Sequence, residues 1–350
     1  MYFASDNCSG VHPKVIEALT RANQGYAPSY GSDPIMDQVR EQIREIFEAP
    51  DAAVYLVATG TTANSLSLAV NAAPWQGVYC HQNAHVQTDE CNAPEFFSGG
   101  AKMIPIEGAN GRIAPADLRA AIDATVQGDV HCTQRGVVTI TNLTEAGTLY
   151  TPDMVAEIST VAREFAQPLH MDGARFTNAL VSAGCTPAEM TWMSGVDILS
   201  FGGTKNGLLG VEAVVMFDPQ KAWEFELRRK RAGHLFSKHR FLSAQMQAYL
   251  DDSLWIEMAG AANDAATRLS RGLQAIHGAS LAHPVDGNML FVTLPRVLHR
   301  RAKAAGAQYF LNAPGATLDG DDAELLGARL VCSWSTRDKD VDDFLVALQG

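Results

Sequence analysis

A short turn between an apolar run and a helical stretch could bind an anion. Residues 53–58 read AVYLVA, which is typical of a buried strand, and residues 63–73 are interpreted as a helix. The turn between them contains Gly60 and Thr61. Backbone N–H groups at a helix start, together with the helix dipole, favour negative charge, and glycine allows a ligand to approach the backbone closely. A phosphate group would fit this turn, and an ordinary helix N-cap would also explain it.

A second segment, residues 170–175 (HMDGAR), places an acid where a strand is expected to end. Ligands of α/β sheets bind at the carboxyl ends of the strands. The Asp172 carboxylate could hold a cation or a protonated ring nitrogen there. Arg175 could bind a carboxylate or a phenolate oxygen with its planar guanidinium group. An Asp–Arg ion pair that closes a loop is the alternative interpretation.

A third segment, residues 200–207 (SFGGTKNG), contains an isolated lysine. Lys205 is the only lysine between Lys102 and Lys221, and it follows an apolar strand. Small neighbours leave space around its ammonium group, and an apolar setting with cationic neighbours would lower its pKa toward that of a free amine. A free amine can form a Schiff base with an aldehyde. A lysine in a surface turn is the alternative.

Two histidines follow the next predicted strand. If residues 81–85 are helical, His81 and His85 share one face at a spacing that metal sites use. The sequence has no H-E-x-x-H pattern here and no evident third ligand, so we expect no metal. Stacking of the His85 ring on a flat cofactor is the other functional interpretation.

These segments together match the needs of one cofactor, pyridoxal 5′-phosphate (PLP). Its phosphate needs an anion site, its ring nitrogen needs an acid partner, and its aldehyde needs a lysine. Asp172 and Lys205 are 205 − 172 = 33 positions apart. The order of anion site, acid and lysine is similar to that in the aspartate-aminotransferase fold.

The elements around these segments predict an α/β protein. Asp33 is a good N-cap with Pro34 in the first helical position, and another helix opens at Thr151. Short apolar strands that alternate with helices predict a mainly parallel central sheet that is flanked by helices. The predicted strands are residues 53–58, 77–80, 103–106, 136–141, 168–171, 196–201 and 211–217.

The pattern changes in the C-terminal part of the chain. A long helical stretch is expected from residue 219 to 274, with interruptions near Gly233 and Gly260. Strands at 289–294 and 329–334 follow, with helices near them. We therefore predict two domains: residues 1–239 form an N-terminal arm and a large domain, and residues 240–350 form a smaller α+β domain.

Composition limits the classes of partner. The 350 residues include 27 Lys and Arg against 39 Asp and Glu, a net charge of −12 that disfavours binding to nucleic acids. No apolar stretch approaches the ~20 residues that a membrane-spanning helix needs. The six cysteines are scattered and form no C-x-x-C pair, so a reducing cytoplasm is the expected location.

The chain resembles the low-specificity L-threonine aldolases, which are members of the β-eliminating lyase group of fold-type-I PLP enzymes. The resemblance runs from residue 3 to residue 331. It is carried by several motifs in a fixed order: SDN at 5–7, YGSDP at 30–34, TGT at 59–61 with Asn64, His85, HMDGAR at 170–175 and GTKNG at 203–207.

The resemblance implies roles in cofactor binding. Lys205 would carry PLP, Asp172 would pair with the ring nitrogen and His85 would stack on the ring. Gly60 and Thr61 would hold the phosphate. The implied fold is the aspartate-aminotransferase-like one, with a smaller C-terminal domain.

The resemblance also implies a substrate site. Ser5 and Arg329 would bind the carboxylate of an amino acid. Arg175 would assist them or contact the cofactor oxygen, and His131 would lie near the substrate hydroxyl. Tyr30 and Lys238 would come from a neighbouring subunit, so a homo-oligomer with shared active sites is implied, either a dimer or a tetramer built from dimers.

The implied activity is retro-aldol cleavage of a β-hydroxy-α-amino acid to glycine and an aldehyde. The base for the hydroxyl proton is left open among His85, His131 and a water molecule. The chain departs from many relatives at 141–145, where TNLTE replaces E-N-T-H-N, and at 233–238, where GHLFSK replaces G-G-G-M-R. Another β-eliminating lyase, an aminotransferase, a silent scaffold and a metal-dependent hydrolase are the alternatives.

Overall fold

The computed structural model describes residues 1–312 and 315–350. Within these residues the strands form a seven-stranded and a four-stranded sheet. The larger sheet contains β1 Ala53–Val57, β2 Gln76–His81, β3 Lys102–Ile106, β4 Gln134–Thr141, β5 Leu169–Gly173, β6 Ile198–Gly202 and β7 Glu212–Met216. The smaller sheet contains β8 Ser280–Leu281, β9 Met289–Pro295, β10 Phe310–Leu311 and β11 Leu325–Val331.

Helices connect and cover these strands. Two of them begin as the sequence predicts, because Asp33 and Thr151 accept hydrogen bonds from the backbone N–H groups of Met36 and Met154. No helix in the described ranges is long and apolar enough to cross a membrane. The helices are α1 Pro13–Ala22, α2 Pro34–Ile46, α3 Gly60–Ala69, α4 His85–Thr88, α5 Ala93–Ser98, α6 Pro115–Asp123, α7 Pro152–Glu164, α8 Phe176–Ala183, α9 Pro187–Met190, α10 Ala222–Arg231, α11 Arg240–Leu250, α12 Leu254–Gln274, α13 Arg296–Ala304 and α14 Asp338–Gln349.

The large sheet has the strand order β1-β7-β6-β5-β4-β2-β3. Strands β3, β2, β4, β5 and β6 are parallel, and β7 is antiparallel to both β6 and β1. Because β1 is reversed twice relative to β6, its carboxyl end lies at the same edge as those of β4, β5 and β6. The predicted α/β class and the mainly parallel central sheet are confirmed. The segments with Gly60, Asp172 and Lys205 lie at this edge, at the ends of β1, β5 and β6.

Two large apolar clusters pack around the two sheets. The first joins the central sheet to its helices and includes Tyr249 and Trp255 from α11 and α12. The second covers the small sheet and includes Phe3 from the N-terminal segment and Phe344 from α14. Helix α11 thus packs with the large sheet although it begins at residue 240. The division at residues 239 and 240 stays a prediction.

The long predicted helical stretch has one of its two breaks where expected and the other elsewhere. Gly233 does lie between α10 and α11, where it has a positive φ of 77°. Gly260, in contrast, lies inside α12, so the prediction of a break there is wrong. The second break is at Asp252 and Ser253, which both have positive φ. A single glycine weakens a helix by only ~1 kcal/mol, and the apolar face of α12 outweighs that cost.

Candidate active site

A cavity lies at the carboxyl ends of β4, β5 and β6, beside the start of α3. Several predicted site residues meet here because the strands that precede them all end at this edge. The cavity is lined by Gly60, Thr61, Asn64, His85, Glu90, Thr141, Leu143, Glu145, Asp172, Ala174, Arg175 and Lys205.

The start of α3 presents backbone donors to this cavity. The Thr59 side chain caps the helix by accepting a hydrogen bond from the Thr62 N–H at 3.2 Å. The N–H groups of Gly60 and Thr61 have no partner among the described residues. They are therefore available to an anion, as the sequence predicts. The His234 ring lies beside the cap, with Nε2 2.9 Å from Thr62 Oγ1.

Asp172 lies in β5 with its side chain buried. Its Oδ1 accepts a hydrogen bond from the Ala174 N–H at 3.0 Å, and its Oδ2 accepts one from Asn64 Nδ2 at 2.9 Å. These donors fix the orientation of the carboxyl group. A carboxyl group held in this way at a strand end can pair with a protonated ring nitrogen.

Lys205 lies in a single turn of helix just after β6. Its neighbour Asn206 fixes the turn by donating hydrogen bonds to the Tyr249 hydroxyl at 2.8 Å and the Trp255 carbonyl at 2.9 Å. Burial and the nearby charge of Arg175 lower the pKa of Lys205, as expected from the sequence. The amine therefore lies in a cavity and is more easily deprotonated than an ordinary lysine.

Arg175 forms a bidentate ion pair with an acid that the sequence analysis had given no role. Its Nε and Nη2 donate to Asp6 Oδ2 and Oδ1 at 2.7 and 2.9 Å. Asn288 Nδ2 also donates to Asp6 Oδ2, at 3.0 Å. The alternative of a local Asp172–Arg175 ion pair that closes a loop is therefore wrong, because Arg175 pairs with Asp6. Arg175 still lines the cavity, where Nη1 has no hydrogen bond to any described residue.

His85 is held at its ring and at its backbone. Its Nδ1 lies 2.8 Å from Glu90 Oε1, and its N–H donates to Glu145 Oε1 at 2.8 Å. The hydrogen bond to Glu90 raises the pKa of His85 in spite of its partial burial. The ring is therefore fixed in orientation while 40% of the side chain stays exposed.

The proposed pairing of His81 with His85 on one helix is wrong. His81 ends β2, whereas His85 begins α4. The His81 ring bonds to the Gly108 carbonyl at 3.0 Å and to the Asn83 N–H at 3.1 Å. Within residues 1–312 and 315–350 no group of three His, Cys, Asp or Glu side chains is arranged to hold a metal ion.

The structure adds Asn64, Glu90 and Glu145 to the site. Asn64 Nδ2 donates both to Asp172 and to Glu90 Oε1, at 2.9 and 3.0 Å. Sequence reasoning used Asn64 only as part of a motif and gave neither acid a role. No local pattern signals Glu90 or Glu145, because Glu90 lies beyond the end of α4 and Glu145 is 60 positions from His85.

Arg329 and Ser5 lie close to each other, but neither is among the residues that line the cavity. Arg329 Nη2 donates to the Ala4 carbonyl at 3.3 Å, next to Ser5, and the charge of Arg175 contributes to lowering its pKa, after burial. The Ser5 hydroxyl accepts a hydrogen bond from the Asn7 N–H at 3.2 Å. Ser5 lines an adjoining hollow with residues 333–337.

Tyr30, Lys238 and His131 are likewise not brought to this cavity. Tyr30 and Lys238 are exposed, and their segments touch through a 3.2 Å hydrogen bond from the Tyr30 N–H to the Ser237 carbonyl. His131 is exposed and precedes β4, so it lies at the amino end of that strand. Within one chain, therefore, the site comprises Gly60, Thr61, His85, Asp172, Arg175 and Lys205.

This combination of fold and site defines a class of protein. A mainly parallel sheet with an anion-binding helix start, a strand-end acid and a lysine at its carboxyl edge is the architecture of the fold-type-I PLP-dependent enzymes. The chain belongs to the β-eliminating lyase family, whose family model matches residues 2–295.

Individual relatives agree with this assignment. The chain is 40% identical to the low specificity L-threonine aldolase of a Pseudomonas species, covering 99% of this chain and 97% of the relative. It is 41% identical to the enzyme of the same name from Pseudomonas aeruginosa, covering 95% and 93%. The resemblance stated from the motifs is confirmed.

Solved structures show the same fold. A threonine aldolase of Leishmania major superimposes with a TM-score of 0.90 at 28% identity, covering 99% of this chain and 98% of that one. The serine palmitoyltransferase of Sphingomonas wittichii shares the fold alone, with a TM-score of 0.73 at 15% identity, covering 100% and 86%.

Proposed function

We propose that this protein is a PLP-dependent aldehyde-lyase that cleaves β-hydroxy-α-amino acids to glycine and an aldehyde. The observation that carries the proposal is the meeting of Lys205 and Asp172 at one cavity. The names of the Pseudomonas and Leishmania relatives support the choice of reaction within the family. L-Threonine, L-allo-threonine and phenylserine are the proposed substrates.

The residues of the cavity fit PLP. The N–H groups of Gly60 and Thr61 would hold its phosphate, and Lys205 would bind its aldehyde. Asp172 would pair with its ring nitrogen and His85 would lie on its ring. When bound, PLP supplies a positively charged ring that can accept the electron pair released when a bond at Cα breaks.

Other residues would bind and orient the amino acid. Arg329 would hold the carboxylate, with Ser5 beside it, and the remaining Nη1 of Arg175 would contact the cofactor oxygen or the substrate. Fixing the carboxylate sets which bond at Cα stands perpendicular to the cofactor ring. Only that bond can release its electrons into the ring, so the binding of the carboxylate would select cleavage of Cα–Cβ.

We further propose a homo-oligomer in which neighbouring chains complete each site. The exposed positions of Tyr30 and Lys238 are compatible with such a contribution from a second copy, and so is the exposed position of His131. A tetramer built from dimers is the form we favour. The cytoplasmic location also stays a prediction.

The test is a product assay of the purified protein with PLP. Glycine and an aldehyde in equal amounts from L-threonine, L-allo-threonine and phenylserine would support the proposal. Release of a keto acid would indicate a β-eliminating lyase or an aminotransferase instead. A protein that stays colourless after PLP is added would indicate a silent scaffold.

A further inference from the structure

Two acids flank His85 on the wall of the cavity: Glu90, which is buried, and Glu145, which is half-buried but has a buried Oε2 atom. Each has one oxygen in hydrogen bonds and one without a partner in the described part of the chain, Oε2 in both cases. None of the Glu90 side chain is exposed. Buried polar atoms are nearly always satisfied, so unpartnered acceptors in a cavity point to a donor that arrives with a ligand.

The two acids are held differently. Glu90 Oε1 accepts from the His85 ring and from Asn64, which itself reaches Asp172. The role of Glu90 is therefore to orient the His85 ring. Glu145 Oε1 accepts from the His85 N–H at 2.8 Å and from Thr141 Oγ1 at 3.0 Å. Its Oε2 can gain a proton without breaking either contact.

The charges around Glu145 favour a group that exchanges a proton. Asp172, Glu90 and Glu145 line the cavity together with the cations Lys205 and Arg175. His85 contacts Glu90 through its ring and Glu145 through its backbone N–H. Asp6 already neutralises Arg175, so three carboxyl groups compete for little positive charge. Burial, followed by the charge of Asp172, raises the pKa of Glu145 to about 7. A base of this strength suits proton transfer near neutral pH.

We propose that Glu145 is the general base that takes the proton of the substrate's β-hydroxyl group. This inference rests on the proposed function. Glu145 Oε2 accepts the hydroxyl proton, and the electron pair of that O–H bond becomes the second bond of the aldehyde carbonyl. The Cα–Cβ electron pair stays with the glycine part, which gains one proton at Cα. Glu145 then releases its proton, so that all atoms of the substrate are found in glycine and the aldehyde.

The position of Glu145 in the sequence explains why the family motifs do not point to it. It lies in the segment 141–145, where TNLTE stands in place of the E-N-T-H-N of many relatives. The motifs that carry the family resemblance therefore could not assign it. His85, in this scheme, orients the cofactor ring and does not accept the hydroxyl proton.

The experiment compares two reactions of the Glu145→Gln variant. Cleavage of L-threonine needs the base, whereas exchange of the glycine α-proton for deuterium uses the same cofactor and has no hydroxyl group to deprotonate. We expect cleavage to fall about 10²-fold or more while exchange, visible absorbance and PLP affinity of the apoprotein change less than about threefold. The acidic limb of the kcat pH profile near neutrality should disappear.

Matched variants separate this role from a structural one. Glu90→Gln removes the other acid and should slow both reactions together, because it loosens the His85 ring. Glu145→Asp retains a carboxyl group and should recover part of the cleavage activity, even if Glu145→Gln binds PLP poorly. Equal losses in both reactions for Glu145→Gln, or equal cleavage by the Asp and Gln variants, would overturn the inference. A wild-type protein that releases no glycine from any of the three substrates would instead refute the proposed function.

Discussion

Asp6 and Arg175 are 169 positions apart and form a buried bidentate ion pair, with Nε to Oδ2 at 2.7 Å and Nη2 to Oδ1 at 2.9 Å. Arg175 follows β5 at the cavity, whereas Asp6 belongs to the N-terminal segment. The segment also contacts Arg329 through the Ala4 carbonyl. The ion pair therefore fixes the N-terminal segment beside the proposed substrate site.

Asp6→Asn should destabilise the fold by about 3–5 kcal/mol, because the Arg175 charge would be left buried without its counterion. Burial opposes ionisation of Asp6, but the charge and hydrogen bonds of Arg175 lower its pKa overall. A lowered folded-state pKa means that the stabilisation is present above the ordinary carboxyl value of about 4 and is lost as pH falls through the folded-state pKa. Urea unfolding at several pH values should show this loss in the wild type and a flatter curve in the variant. If the free energies of unfolding of the two proteins changed with pH in parallel, Asp6 would not be the counterion of Arg175.

Asn64→Ala should weaken PLP binding by about tenfold or more. The change removes the hydrogen bond that Asn64 donates to the Asp172 carboxyl group, and leaving a buried acceptor without its donor costs about 1–3 kcal/mol. Titration of the apoprotein with PLP, followed by absorbance, measures the dissociation constant. Asn71→Ala is the matched control, since Asn71 lies just beyond α3 and its side chain bonds, among the described residues, only to the Ser67 carbonyl and Lys221. Equal affinities of the two variants would remove Asn64 from the site.

Lys205→Ala should abolish the visible absorbance that the protein gains with PLP, since no other described lysine lines the cavity. Glycine and aldehyde formation should be lost with it. Lys102→Ala, at an exposed position in β3, should leave both unchanged. Retention of the visible band by the Lys205 variant would refute the lysine assignment.

Arg329→Ala should lower kcat/KM by about 10²-fold or more if the side chain grips the substrate carboxylate in a bidentate manner. Arg329→Lys keeps the charge without the planar pair of donors and should recover only part of the loss. Steady-state kinetics with L-threonine measure both effects. Wild-type kinetics in the Ala variant would place the carboxylate site elsewhere.

The elements and the individual site residues could be predicted because their signals are local. Strand β5 and its Asp172, or β6 and its Lys205, are each defined by an apolar run and the residues that follow it. The break expected at Gly260 failed because local propensity cannot report the long-range packing of α12. The helical pair of His81 and His85 failed because a strand end and a helix start were mistaken for one element.

The sequence by itself determined that a glycine-containing turn, an acid and a lysine each follow an apolar strand. Parallel strands bring such residues to one edge of a sheet. Only the tertiary structure decided the partners of the charges. It joined Arg175 to Asp6 across 169 positions and Asn64 to Glu90 across 26, and it placed Glu145 against His85. The pKa and the ion-pair partner of a buried ionisable group depend on neighbours that distant segments supply. No local pattern in the chain indicates which segments will meet.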